Sequence, residues 1–115
     1  MPDAADSNGR APVETKWAEI NATAAGDNTI VAAVAGMKIR VTALTFTCSA
    51  AANIAYKSGA SVTKINAMPF AATGGLDSQR HAPNYFVETN TGDAFVMNLD
   101  GVYNVRGSLN YVLVS

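Results

Sequence analysis

Gly26-Asp27-Asn28-Thr29-Ile30-Val31-Ala32-Ala33-Val34-Ala35-Gly36-Met37-Lys38-Ile39-Arg40-Val41 is the stretch that decides the fold class of this 115-residue chain. A turn-forming Gly-Asp-Asn opens it, a β-branched run follows, and Ala35-Gly36 separates that run from a second one. Short alternating runs bounded by Gly and Asn read as strands, because alternate side chains on a strand point to opposite faces. The stretch therefore predicts two β-strands folded about Ala35-Gly36. Beyond it the second strand continues, and Met37–Ser49 carries an irregularity. Met37, Ile39, Val41 and Ala43 share one face, but from Leu44 the parity flips and Leu44, Phe46 and Cys48 become the apolar set. Strict alternation permits that only at a bulge, or where a strand bends from one sheet to the other.

Further strands are expected at Trp17–Ala24, Asn28–Val34, Asn53–Lys57, Ser61–Ala67, Asn84–Thr89, Ala94–Leu99 and Val102–Val114. In the last of these, Tyr103, Val105, Leu109, Tyr111 and Leu113 share a face. Gly107 falls on that same face, as it would where the strand coils or a neighbour comes close. Asp100-Gly101 between two strand runs is the strongest hairpin signal, and Gly74 through Pro83 is the one longer irregular stretch. Asn, Gly and Thr interrupt every helical window. The fold class expected is all-β: a single antiparallel β-sandwich or jelly roll of about eight strands, with turns every 8–12 residues or so. Met1 to Thr15 are polar, with Pro2 and Pro12 and no apolar period, so residues 1–16 are read as an extended N-terminal arm and 17–115 as the domain.

Composition narrows the function classes. Eight basic residues stand against nine acidic ones, a net charge of −1, and the basic residues are scattered. Nucleic-acid binding calls for Lys and Arg clustered on one face, so no nucleic-acid partner is expected. Cys48 is the sole cysteine, which rules out an intrachain disulfide and suits a small core residue. Met1-Pro2-Asp3-Ala4-Ala5-Asp6 lacks the charged start and apolar middle of a signal peptide. No run approaches the roughly 20 apolar residues of a membrane span, so no membrane partner is expected and synthesis is placed in a cytoplasm. Alanine fills 21 positions, which leaves large apolar residues sparse and suits either a flat sandwich with small residues on some faces or a body that shares surface with copies of itself.

The chain carries few residues in reactive patterns. His81 is the only histidine, and Asp77 lies four residues before it in a segment read as a loop, where that spacing has no helical meaning. A zinc site needs ligands the chain does not advertise. Nucleophile elbows, phosphate loops and dinucleotide fingerprints are missing from the sequence, so neither enzyme activity nor a cofactor nor a metal is expected. Most of the nine aromatics are claimed by core filling. Trp17, at the junction of arm and domain, and Tyr85, after the Gly75–Pro83 loop, are the two best placed at an interface. With Asp77, Arg80 and His81 of the polar loop they form the candidate set of partner contacts.

The wording of several segments is more specific than their periodicity. Gly26–Val41 resembles a "GDNT-hydrophobic-AAV-x-G-x-K-I-R-V" phrase in small β-sandwich virion proteins of tailed bacteriophages. In order after it, Asn53-Ile54-Ala55-Tyr56-Lys57-Ser58-Gly59 resembles that family's "x-V-x-F-K-S-G", and Met68–Leu76 its "PL-A-A-N-G-G". Pro83–Thr89 resembles "P-x-G-W-F-x-T", Thr91–Leu99 "A-G-E-A-L-x-L-N-L", and Gly107–Val112 "G-S-L-x-Y". The likeness spans roughly residues 20 to 115. It departs at Asn84-Tyr85, where the family has Gly-Trp, at the more polar Asp77–His81 segment, and in the arm before Trp17. The resemblance implies a virion structural protein that assembles with copies of itself, and a homotrimer is expected. Capsid decoration on the major capsid protein is the first expectation; a tail- or fibre-associated adaptor or receptor-binding module is the alternative.

Overall fold

The computed structural model describes residues 14–80 and 84–115. Among them there are nine strands and no helix: β1 (Lys16–Ala22), β2 (Gly26–Val31), β3 (Lys38–Cys48), β4 (Ala52–Ser58), β5 (Val62–Phe70), β6 (Gly75–Gln79), β7 (Val87–Glu88), β8 (Phe95–Leu99) and β9 (Val105–Val114). One sheet has the order β1-β9-β3-β6, with β7 also paired to β3; the other has the order β2-β8-β4-β5. Every pairing is antiparallel. With the two-residue β7 set aside, this is the interleaved order of a jelly roll, in which the chain passes repeatedly from one sheet to the other. The expected fold class is what the structure has.

The opening run does three jobs. Gly26 takes φ +88°, a left-handed conformation that costs glycine nothing. The Asn28 side chain closes the turn before it: Oδ1 accepts from Ala24 N at 3.2 Å and Nδ2 donates to Ala24 O at 2.9 Å. Asp27 ties β2 to its sheet, accepting from Asn98 Nδ2 at 2.7 Å and from Lys57 Nζ at 3.0 Å. Those partners, Asn98 first and then Lys57, hold the Asp27 carboxyl below the usual aspartate value of 3.8. A carboxylate depressed in the folded state adds stability above its unfolded pKa and loses it as pH falls through the folded one. Thermal stability is accordingly expected to drop below about pH 4, and Asp27→Asn to flatten part of that acid limb in melts followed by circular dichroism.

The Ala35-Gly36 break is real, but β2 and β3 do not pair with each other. β2 lies in one sheet and β3 in the other, so the break is an arch between layers. Asp100-Gly101 behaves the same way. It carries the chain from β8 to β9 across the sandwich, which corrects the hairpin expected there. The parity flip in β3 proves to be a bulge within one sheet: the register against β9 shifts between Val41 and Ala43. Ile39 and Val41 precede it in the core, and Leu44, Phe46 and Cys48 follow. Thr42, the extra residue, is itself buried.

Two segments differ from expectation. Gly75–Gln79, read as irregular, is the edge strand β6, with Gln79 opposite Ala43 and Asp77 opposite Thr45. Of Asn84–Thr89 only Val87–Glu88 joins the ladder. β6 and β7 thus run end to end along one side of β3. Arg80 N donates to Thr42 O and Phe86 N to Val41 O, two successive carbonyls, so the chain leaves β3 and returns to the next bonding position. The expected arm falls outside the described residues except at its end: Glu14 and Thr15 are exposed and Lys16 already opens β1.

The core lies between the sheets. Tyr56 and Phe95 are fully buried with near-parallel rings 6.5 Å apart, and Phe86 meets Tyr56 edge-on at 5.2 Å. Phe46 from one sheet meets Phe70 from the other at 5.2 Å, edge to face. Such offset and edge-on pairs suit the ring quadrupole. Cys48 is buried here, and desolvation pushes its thiol pKa up.

Candidate functional site

Strand register sorts the polar residues of β1, β9, β3 and β6 onto the outer face of their sheet. Trp17 lies opposite Asn110, Asn110 opposite Ala43, and Ala43 opposite Gln79. The next row runs Glu19, Ser108, Thr45, Asp77. Small side chains in the middle of these rows leave a trough. It comprises two adjoining shallow depressions of about 80 and 390 Å³ that share Ala43, Gln79 and Asn110. Trp17, 65% exposed, stands on the edge strand at one side. Asp77 lines the smaller depression from the opposite edge strand, and Arg80 lines the larger.

Tyr85 lies at a corner of the same sheet. The Arg40 guanidinium is 4.9 Å from the centre of its ring, a cation–π contact. Arg40 is fixed in turn by Glu88 on the neighbouring strand: Nε donates to Oε2 at 2.8 Å and Nη2 lies 2.7 Å from the same oxygen. Both side chains are mostly buried, so the pair is screened less than an exposed one.

Four of the five residues singled out from sequence, Trp17, Asp77, Arg80 and Tyr85, therefore belong to this sheet and its borders. His81 lies outside the described residues. Sequence reasoning missed Gln79, Ser108 and Asn110. They were legible only as the polar face of a strand, and register is what aligns them beside Trp17.

The two outer faces contrast. On the β2-β8-β4-β5 sheet the polar groups Asp27, Lys57 and Asn98 engage one another. Along the trough, the side chains of Thr45, Asp77, Gln79, Ser108 and Asn110 make no hydrogen bond to another described side chain. The trough therefore presents open donors and acceptors on rigid strands. Among the described residues no cluster of three or more His, Cys, Asp or Glu could hold a metal ion. No helix among them is long and apolar enough to cross a membrane.

A second surface lies at one end of the sandwich, where the loops 23–25, 49–51, 71–74 and 100–104 meet. Ser49 N donates to Asn104 O at 2.9 Å, and Thr73 N donates to Cys48 O at 2.9 Å, which knits three of these loops together. Ala24, Ala25, Ala51, Ala71 and Ala72 are exposed there, and Val102 is 78% exposed. Asp100 is the one charged residue in those loops, and Asn53 engages it through both its backbone N (3.0 Å) and its side chain (2.7 Å). Its carboxyl is held below the usual aspartate value, first by the Asn53 side chain. The opposite end carries Lys64, bonded to Asn90 at 2.8 Å, and also the exposed Ala32, Ala33, Val34 and Ala35 of the arch between β2 and β3. Comparison of the chain with protein-family models, with curated proteins and with solved structures gives no match.

Proposed function

We propose that this protein is a non-catalytic structural component of a phage virion, a capsid decoration protein that assembles as a homotrimer and packs its alanine-rich end onto the capsid. The sequence resemblance supplies the virion reading. The observation that carries the mode of attachment is the alanine-rich end crowned by Val102, whose one charged loop residue, Asp100, is already bonded to Asn53. Exposed alanine and valine backed by satisfied polar groups lose little by desolvation, so another protein covers them at small cost. The domain's short dimensions of 26 and 18 Å bound that end. It is smaller than the roughly 800 Å² per partner of a standard stable interface. One copy therefore holds weakly, and linked copies hold through added contacts, which is the use of a homotrimer on a symmetric shell.

A reconstruction of the particle, with gold-labelled antibody as a check, tests this reading. Protrusions over the head, lost when Val102→Asp is introduced, are the expected result; a charge buried in that contact is left unpaired. Label confined to the tail would replace decoration with a fibre-associated role.

A further inference from the structure

We infer that the outer face of the β1-β9-β3-β6 sheet binds an uncharged saccharide in the trough between Trp17 and Asp77. This goes beyond the attachment proposed above, because it uses a different surface. The lining of the trough carries one carboxylate, Asp77, and one guanidinium, Arg80, and on the same face Glu19 is offset by Arg106 in the next row, so neither a polyanion nor a polycation is favoured. Its floor is Ala43, Thr45 and Ser108, too short and too polar for the buried aromatic centre of a protein–protein contact.

What the trough offers is a mixed set of donors and acceptors. Gln79 and Asn110 each present a carbonyl oxygen and an amide NH2 side by side, and the Asp77 carboxylate accepts from two hydroxyls at once. A pair of neighbouring sugar hydroxyls donates and accepts in the same way, so one amide satisfies both. These side chains make no hydrogen bonds to other described side chains, so a ligand displaces water from them without breaking bonds between described side chains. The exposed Trp17 supplies the remaining element: an apolar ring for the C–H face of a hexose.

Dimensions agree. From Trp17 to Gln79 is three strand spacings, roughly 14 Å, and the two rows lie about 7 Å apart, which accommodates about two or three hexose rings in line. Because the polar groups sit on paired strands, little order has to be imposed when ligand arrives.

A glycan array of neutral and acidic oligosaccharides, probed with the full chain, is followed by amide-NMR titration with the neutral oligosaccharide retained best. Retention of a neutral oligosaccharide is expected, with shifts confined to β1, β9, β3 and β6. Trp17→Ala and Asn110→Ala are each expected to weaken binding about tenfold or more. Both positions are exposed, and unchanged thermal melting verifies that the variants are folded. Retention of no saccharide, retention of acidic glycans alone, or binding that survives both substitutions overturns the inference. Val102→Asp should leave saccharide binding intact, so this reading and the attachment reading fail separately.

Discussion

Gly107→Ala is expected to destabilise the domain by about 3 kcal/mol or more, although it adds one methyl group. Gly107 sits in β9 with Ile20 of β1 on one side and Phe46 of β3 on the other. An added Cβ would lie 1.9 Å from Thr45 O and 2.7 Å from Phe46 Cα. Both are backbone atoms of a central strand that is bonded on both sides, so no side chain can swing away to make room. The alternative is to move β9 off β3, which breaks the longest ladder in the molecule. The requirement is for space and not for conformation, since Gly107 does not have a positive φ. Gly92 provides the contrast: φ is +81° there, but nothing lies within 4 Å of an added Cβ. Thermal melting separates the two. A fall of roughly 10 °C or more is expected for Gly107→Ala, and an unchanged melt would mean that β9 yields locally.

Phe95→Ala is expected to cost about 3–5 kcal/mol. Phe95 is fully buried at the start of β8, with β2 and β4 on either side. Its ring stacks on Tyr56, which also meets Phe86, so β8, β4 and the segment leading into β7 come together through these three rings. Truncation removes the transfer free energy of the ring and leaves a cavity that the flanking strands cannot collapse to fill. Tyr56 then loses one wall. Its hydroxyl is buried with no hydrogen-bond partner among the described residues, and burial pushes its pKa up, so the ring is held by packing alone. Chemical denaturation measures the effect as a lower midpoint, and a loss under 1 kcal/mol, about the cost of an ordinary exposed change, would refute the central role of these rings.

Strand identity was legible wherever alternation met a buried face. The parity flip at Ala43–Leu44 was readable because side-chain alternation is covalent in origin, and the bulge that explains it lies at that point. Gly107 was readable as a place where the strand coils or a neighbour comes close, and the backbone of β3 is the neighbour. Strand partnership was not legible. The turn chemistry of Asp100-Gly101 is the same whether the chain doubles back or arches over, and the choice depends on residues far away in sequence. β6 escaped notice because an edge strand with Leu76 and Ser78 turned inward has too little apolar period to register.

The candidate surface divides along the same line. Trp17 and Tyr85 stood out because large aromatics at segment borders are conspicuous, and Asp77 and Arg80 because they lie in a polar stretch. Gln79, Ser108 and Asn110 have the ordinary look of a solvated strand face. Only register against β3 makes them neighbours. The alanine-rich end was hidden because its four loops are scattered through the chain and each is unremarkable alone.

The interleaved strand order has a kinetic consequence. Among the described strands, β4 and β5 are the one pair adjacent in sequence that also hydrogen-bond to each other. Every other ladder joins segments separated by at least one intervening strand, and β1 waits for β9, the last strand of the chain. Loop-closure entropy must be spent before those ladders return anything, so assembly belongs to the slow, non-local regime of β-proteins, milliseconds to seconds and not microseconds. The first and last of the described strands pair with each other, so that edge of the sheet is complete only when both are in place.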